Sequence, residues 1–320
     1  MKAAYRDLYC SAQDLTIKDL TAPTPTANEL LIKVKSCTVN RTDIAVLTGK
    51  PAIMKLFTGF PKPKLKITGT DFAGVVEAVG DQVTSFKPGD SVWGFNDIGL
   101  GTHAQYITLK ADQPVMHIPQ QFTFDQAAAC AEGAHYAYNF ISKVQMIPGM
   151  KVMLNGASGG IGSAALQFLK FFQTQVTAVC GTKNLNLIKS LGADRVIDFE
   201  NEDFTRDVEK YDFVFDAVGK STFGKCKKLL KPNGVYISSE LGPGGQNPLL
   251  AMLTSITGGK KVIFPVPFNI KRSMTFVIEL AEKGKFKPLI EKTYPLHEIS
   301  EAFQYVASGQ KTGNVIIHFD

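Results

Sequence analysis

Apolar and polar side chains alternate along "LLIKVKSCTV" (30–39), the period of a strand with one wet face. "FAGVVEAVG" (72–80), "DSVWGF" (90–95) and "AQYITLK" (104–110) share that character, being rich in β-branched and aromatic residues. Turn chemistry breaks them apart: "GDQ" at 80–82, "KPGD" at 87–90 and "GLGT" at 99–102. This spacing predicts a small barrel-like or sandwich-like region over residues 1–125. The pattern changes at "FDQAAACAEGAHYAYNFISKV" (124–144), which is Ala-rich and helical, with Asp125 available as N-cap.

Strand-like and helix-like pieces then take turns. "KVMLN" (151–155) leads into the helical "GIGSAALQFLKFF" (160–172), and "QVTAV" (175–179) precedes a helix stopped by Gly192. "RVIDF" (195–199), "YDFVFDAVG" (211–219), "GVYISS" (234–239) and "KKVIFPV" (260–266) are further strand candidates. Such alternation predicts an α/β unit, a doubly wound parallel sheet, over 126–266. A helix through "NIKRSMTFVIELAEKGK", a short helix from about His297 and a last strand, "GNVIIHF" (313–319), occupy 267–320. That last strand is expected to return to the first region, which makes the α/β unit an insertion.

Composition narrows the setting. The net charge of +6 is mild and no basic block stands out, so no nucleic acid is expected as partner. "PKPKLK" (61–66) and "KCKKLLK" (225–231) are the densest basic stretches and are read as solvated surface in preference to an anion or membrane contact. No run of 18 apolar residues occurs, so no membrane insertion is expected. The five cysteines stand far apart, at 10, 37, 130, 180 and 226. With no signal-peptide core in "MKAAYRDLYC", they read as reduced thiols of a cytoplasmic protein.

The strongest motif is "LNGASGGIGSAALQ" (154–167), which follows a buried-type strand and opens a helix. That is the setting of a dinucleotide-binding turn. In the pattern GxGxxG it reads Ala157-x-Gly159-x-x-Gly162. Gly159 lets backbone N–H groups approach a pyrophosphate, and Gly162 lets helix and strand pack closely. At the end of the second strand, "AVCGTKN" places Gly181, Thr182 and Lys183 where NAD-binding folds usually carry an acid. NADPH is therefore expected ahead of NADH, the alternative being that Lys183 merely starts a solvated helix.

The order of "GTDFAGVVEAVG", "VTSFKPGDSVWGF", "GASGGIG" and a returning C-terminal strand resembles the medium-chain dehydrogenase/reductase superfamily. The branch it is most similar to is that of the zinc-free quinone oxidoreductases. "KLFTGFPKPKLKITGTDFAG" (55–74) looks like the chloroplast-envelope members in particular. The resemblance implies a Rossmann domain inserted into a β-rich GroES-like catalytic domain. It also implies that Asn40, in "TVNRTDIA", stands where zinc relatives have a catalytic cysteine, and that Thr70 and Asp71, in "GTD", replace a histidine and a glutamate. The third ligand would fall near 130–132, where Cys130 stands. A catalytic zinc needs about three protein ligands, so none is expected. His103, His117, His135, His297 and His318 show no ligand spacing either.

Without a Lewis acid, hydride addition suits acceptors that delocalise the developing charge, such as quinones and α,β-unsaturated carbonyls. The resemblance places Asn40, Arg41, Thr42 and Asp43 beside the cofactor, with Asn40, Thr42 and Asp43 as catalytic candidates. Asp43 serves equally well as a cap for the next segment. The resemblance carries phosphate contacts onto Ser158, Gly159, Gly160 and Ile161, and the 2′-phosphate onto Gly181, Thr182 and Lys183. Phe199 and Val218 fall on the adenosine side, Ser239, Leu241, Phe264 and Val266 around the nicotinamide, and Asn314 as a late contact. His135 is weighed as a proton donor against a satisfied helical histidine. Two other readings stay open: an enoyl-thioester reductase of lipid metabolism, and a catalytically silent NADPH-binding protein. A homodimer through the edge strand is carried over by analogy.

Overall fold

The computed structural model describes residues 1–266 and 269–319. Pro267 and Phe268, where the return to the first region is expected to begin, lie outside the described residues. The chain divides into two units: Met1–Glu132 with Ile270–Ile278 and Ile290–Asp320, and Gly133–Asn269 with Glu279–Leu289.

The first unit is built on a seven-stranded sheet. Its strands run in the order Ile290–Pro295, Asn314–His318, Glu29–Val39, Asp71–Val79, Ser91–Phe95 and Val115–His117, and Tyr106–Lys110 also pairs with Glu29–Val39. The alternation at 30–39 forms the long central strand, whose Leu30, Ile32 and Val34 turn into the core. There they meet Phe72, Val92, Ile317 and, from the helix Ile299–Ala307, Phe303. Burying each such side chain contributes about 1.5–3 kcal/mol. The last strand lies antiparallel to the central one, with Val315 opposite Val39, so the chain does return to its first part.

The Ala-rich segment is two helices, Phe124–Ala129 and Glu132–Ile141. The expected cap is corrected here. Thr123 is the N-cap, its hydroxyl accepting from the Gln126 N–H, and Asp125 sits inside the first turn, bonded to the Ser36 hydroxyl. Thr123 leads because it carries its own capping-box partner three residues on.

The second unit holds a six-stranded parallel sheet. Its order is Arg195–Asp198, Gln175–Cys180, Lys151–Asn155, Tyr211–Asp216, Leu230–Ser238 and Lys261–Ile263. Numbered along the chain that order is 3-2-1-4-5-6, the doubly wound Rossmann arrangement. Met153, Val179, Val214, Tyr236 and Val262 share its core. Their uninterrupted apolar runs fit a sheet covered on both faces.

Candidate functional site

In the second unit, every expected cofactor residue follows the carboxyl end of a strand of this one sheet. Ser158–Ile161 follow Lys151–Asn155, Gly181–Lys183 follow Gln175–Cys180, and Phe199 follows Arg195–Asp198. Val218 follows Tyr211–Asp216, Ser239 and Leu241 follow Leu230–Ser238, and Phe264 and Val266 follow Lys261–Ile263. In an open α/β sheet this edge, where the strand order reverses between Lys151–Asn155 and Tyr211–Asp216, is the ligand-binding one.

The turn is shaped by absent side chains. Gly156 adopts φ +81° with Val218 packed where its Cβ would be. A Cβ on Gly162 would collide with the Gly156 carbonyl and come within 2.8 Å of Ala157 Cα. Gly159 differs, because a Cβ there meets only the Gly156 oxygen, at 3.7 Å. Gly159 is the N-cap of the helix Gly160–Phe171 and offers no side-chain bond to the first turn's N–H groups. Those donors and the room beside Gly159 fit a dinucleotide pyrophosphate. Asp216 braces the turn from below. Its carboxylate accepts from Asn155 Nδ2 at 3.0 Å, the Gly219 N–H at 3.0 Å and the Tyr236 hydroxyl at 2.9 Å.

At Gly181–Lys183 the structure corrects one expectation. No acid ends the second strand, yet the neighbouring strand brings two. The Thr182 hydroxyl lies 2.6 Å from Asp198 Oδ2 and 3.1 Å from Glu200 Oε2. Asp198 also takes the Asn201 amide at 2.8 Å, and Glu200 fills the notch that Gly181 leaves open. Phe199 is exposed and passes within 3.5 Å of the Cβ position of Gly181.

In the first unit, "NRTD" opens the helix Arg41–Thr48. Asn40 is its N-cap: Oδ1 accepts from the Asp43 N–H at 2.9 Å, and Asp43 returns the bond to the Asn40 N–H at 3.0 Å. Of the two alternatives for Asp43 the structure shows the cap: the residue closes a capping box and is fully buried. The Asn40 amide donates to Thr70 Oγ1 at 2.9 Å and to Thr38 Oγ1 at 3.3 Å. Each hydroxyl passes the bond on to a carboxylate, Thr70 to Asp43 and Thr38 to Asp71 at 2.5 Å. Asp71 also accepts the Thr38 N–H at 2.6 Å. A third pair completes the set, the Thr42 hydroxyl on Glu132 Oε1. Arg41 is exposed beside them, and Asn314 is buried at the head of the last strand.

Burial governs the protonation of this pocket. It raises Asp43 well above the ordinary carboxylate range, helped by the charge of Asp71. It pushes Asp71 up to about 6 against hydrogen bonds from Thr38 that pull it down. Glu132 rises too, with the Thr42 bond and nearby Lys311 opposing, while burial lowers the Lys311 ammonium. His103, fully buried, is pushed down to about 4 and is neutral. Its Nε2 lies 2.9 Å from the Thr38 carbonyl, which only accepts, so Nε2 carries the proton. Sequence reasoning missed His103 and Glu132, neither of which stands in a recognisable motif. His135 is satisfied within its helix: Asn139 Nδ2 lies 3.1 Å from its Nε2, and burial lowers it to about 4.

These residues do not fit a zinc ion. At the ligand positions the Asn40 amide donates to the Thr70 hydroxyl, and it also reaches Thr38, whose hydroxyl is turned toward Asp71. Cys130 is buried, one thiol where a catalytic zinc needs about three protein ligands. Among the described residues no cluster of three or more His, Cys, Asp or Glu is arranged to hold a metal.

Comparison with known proteins identifies the family. Residues 26–120 match the alcohol dehydrogenase GroES-like domain, and residues 191–317 match the family described as zinc-binding dehydrogenase. The mitochondrial NAD(P)H oxidoreductase RTN4IP1 of Bos taurus is 32% identical over 91% of this chain and 82% of its own. The chloroplastic quinone-oxidoreductase QR1 of Triphysaria versicolor is 28% identical over 99% and 98%. The 2-methylene-furan-3-one reductase of Solanum lycopersicum is 30% identical over 99% and 79%. The solved quinone oxidoreductase of Coxiella burnetii superposes with a TM-score of 0.86 at 22% identity, covering 99% of both chains, and so shares the fold. The mitochondrial and chloroplastic names overturn the cytoplasmic expectation, which rested on the N-terminal residues and the scattered cysteines.

Proposed function

The chain belongs to the medium-chain dehydrogenase/reductase superfamily, in its quinone-oxidoreductase-like branch, and on that premise we propose that this oxidoreductase delivers hydride to quinones or α,β-unsaturated carbonyls without zinc. Its cofactor is a nicotinamide dinucleotide, and NADPH is proposed ahead of NADH by a modest margin. Lys183 favours the extra phosphate, while the carboxylates of Asp198 and Glu200 on Thr182 oppose it. When bound, the cofactor supplies the hydride.

The observation that carries the zinc-free reading is the pocket around Asn40. Two of the positions that hold metal in zinc relatives, Asn40 and Thr70, are here bonded to each other, and the Asn40 oxygen is taken up by the Asp43 N–H. What the pocket offers instead is fixed hydroxyl and amide dipoles in a buried, weakly solvated setting, where such dipoles act strongly on developing charge. An acceptor whose oxygen charge is spread by conjugation needs no more than that. Asn40 acts as a positioning residue that fixes Thr38, Thr70 and Asp43. Glu132, which burial raises to about 8, is proposed to be protonated and to donate to Thr42, leaving the Thr42 hydroxyl proton for the acceptor. A homodimer through the open edge strand Lys261–Ile263 belongs to the same proposal, as does an organelle as the place of work, which the relatives' names support.

The test is a panel: NADPH and NADH, each with a quinone, an enone, an enoyl thioester and a simple aldehyde. Turnover of quinone or enone above the aldehyde is expected. Turnover confined to the thioester would favour the lipid-metabolism reading. Tight NADPH binding with no turnover of any acceptor would favour a silent binding protein.

A further inference from the structure

Two short segments carry most of the exposed large apolar side chains. The first is 53–65, where Ile53, Leu56, Phe57, Phe60 and Leu65 are between 45% and 79% exposed. The second is the helix Gln246–Thr257, with Leu249, Met252, Leu253 and Ile256 exposed. On the helix Gln246–Thr257 the spacing i, i+3, i+4 and i+7 puts the four side chains on one face, whereas in the first segment only Leu56 and Phe57 lie on the short helix Met54–Thr58, with Ile53 before it and Phe60 and Leu65 after it. Contiguous patches of this kind mark contact surfaces.

The first stripe is held outward by a built support. On the helix Met54–Thr58 the opposite face is anchored: buried Thr58 donates to the Met54 carbonyl at 2.8 Å and meets the Tyr9 hydroxyl at 2.8 Å. Tyr9 also donates to the Gly59 carbonyl at 2.5 Å, and the Lys64 N–H returns to Thr58 O at 2.8 Å. The short helix is thus pinned to the fold through Thr58, with Leu56 and Phe57 exposed.

Charge separates the stripes. Residues 50–66 contain five lysines and no acid, whereas residues 241–259 contain no charged side chain. Lys55 lies over the Tyr9 ring at 5.1 Å, and Lys66 is paired with Asp7 at 3.0 Å. Lys50, Lys62 and Lys64 are exposed and have no carboxylate partner among the described residues. A second copy of the chain fits poorly here, since a twofold contact sets the patch against itself and lysine against lysine. Apolar side chains ringed by unpaired cations match an anionic lipid surface, with the rings at the acyl boundary and the ammonium groups at phosphate depth.

We propose that residues 50–66 dock this protein on the surface of anionic phospholipid bilayers. The contact is peripheral, since no helix among the described residues is long and apolar enough to cross a membrane.

The test is co-sedimentation of the full chain with vesicles of phosphatidylcholine alone and of phosphatidylcholine with phosphatidylglycerol, at low and high salt. Binding is expected only to the anionic vesicles, and weaker at high salt. A Leu56→Glu/Phe57→Glu variant should lose at least about tenfold in partition, from the lost apolar contact. Neutralising Lys50, Lys62 and Lys64 with glutamine should lose about a hundredfold, at about 1 kcal/mol per lysine. A Met252→Glu/Leu253→Glu variant on the uncharged stripe should bind as the parent does. Circular dichroism and NADPH affinity confirm that each variant is folded. Equal binding to neutral vesicles, no binding to either, or loss confined to the 252/253 variant would overturn the proposal. So would a change from dimer to monomer in the 56/57 variant, which would make the stripe a self-contact.

Discussion

The glycine turn at 156–162 and the hydroxyl–carboxylate pocket around Asn40 are made in opposite ways. The turn is built from chain neighbours, by leaving atoms out, so that backbone comes close to backbone and to a phosphate. The pocket is built from distant residues, by packing polar atoms into a buried space: Thr38 to Asp71 spans 33 positions and Thr42 to Glu132 spans 90. A site made by omission tolerates no added atom. A site made by mutual satisfaction depends on every partner at once, and its protonation is set by burial rather than by sequence.

Within the turn, the two glycines should respond differently. Gly162→Ala forces a Cβ into the Gly156 carbonyl. It should cost about 3 kcal/mol of stability in a denaturant titration, with NADPH affinity lost alongside. Gly159→Ala has room, so apo stability should stay within about 0.5 kcal/mol. NADPH should nevertheless bind about tenfold more weakly, because the methyl stands where the pyrophosphate approaches. Equal destabilisation by both would break the distinction.

The pocket makes a prediction about pH. Asp71 rises from 3.8 to about 6 on folding. The folded protein keeps that proton to higher pH than the unfolded chain, so this contribution is full below pH 3.8 and lost as pH rises through about 6. Asp71→Asn lacks the titration. Its stability relative to the parent should therefore improve by about 3 kcal/mol between pH 3.5 and pH 7, from the shift of about two units at 1.36 kcal/mol each. A pH-independent gap in parallel melts would contradict it.

Asn40→Ala removes a cap worth about 1 kcal/mol and frees the hydroxyls of Thr38 and Thr70. Turnover should fall by about tenfold or more with NADPH affinity unchanged. Weaker NADPH binding with intact turnover would put Asn40 at the ribose instead. The smallest effect is Glu200→Gln, which should raise affinity for NADPH over NADH by about fivefold, the worth of one charge at about 4 Å in water. No change would remove Glu200 from cofactor choice.

The same contrast explains what was legible in the sequence. Gly159 and Gly162 lie in a strand–turn–helix order that local pattern reveals, and the strand periods put the candidate cofactor residues of the second unit at one sheet edge, while Asn40, Arg41 and Asn314 lie in the first unit. The frame "NRTD" was legible as a strand end with a displaced ligand. Three things were not. Asp198 and Glu200 reach Thr182 from the next strand, so inspecting the end of the second strand alone missed them. Glu132 enters the pocket through a helix start whose neighbours read only as an Ala-rich run. Thr123 took the cap from Asp125 because capping depends on backbone geometry as well as residue type.

The central claim is that hydrogen-bonded hydroxyls and an amide, rather than a metal, serve the acceptor. The most direct measurement is quinone reduction by NADPH with metal-stripped enzyme, before and after zinc is added back. Unchanged turnover is expected in both. Loss of activity on stripping, restored by zinc, would contradict the account.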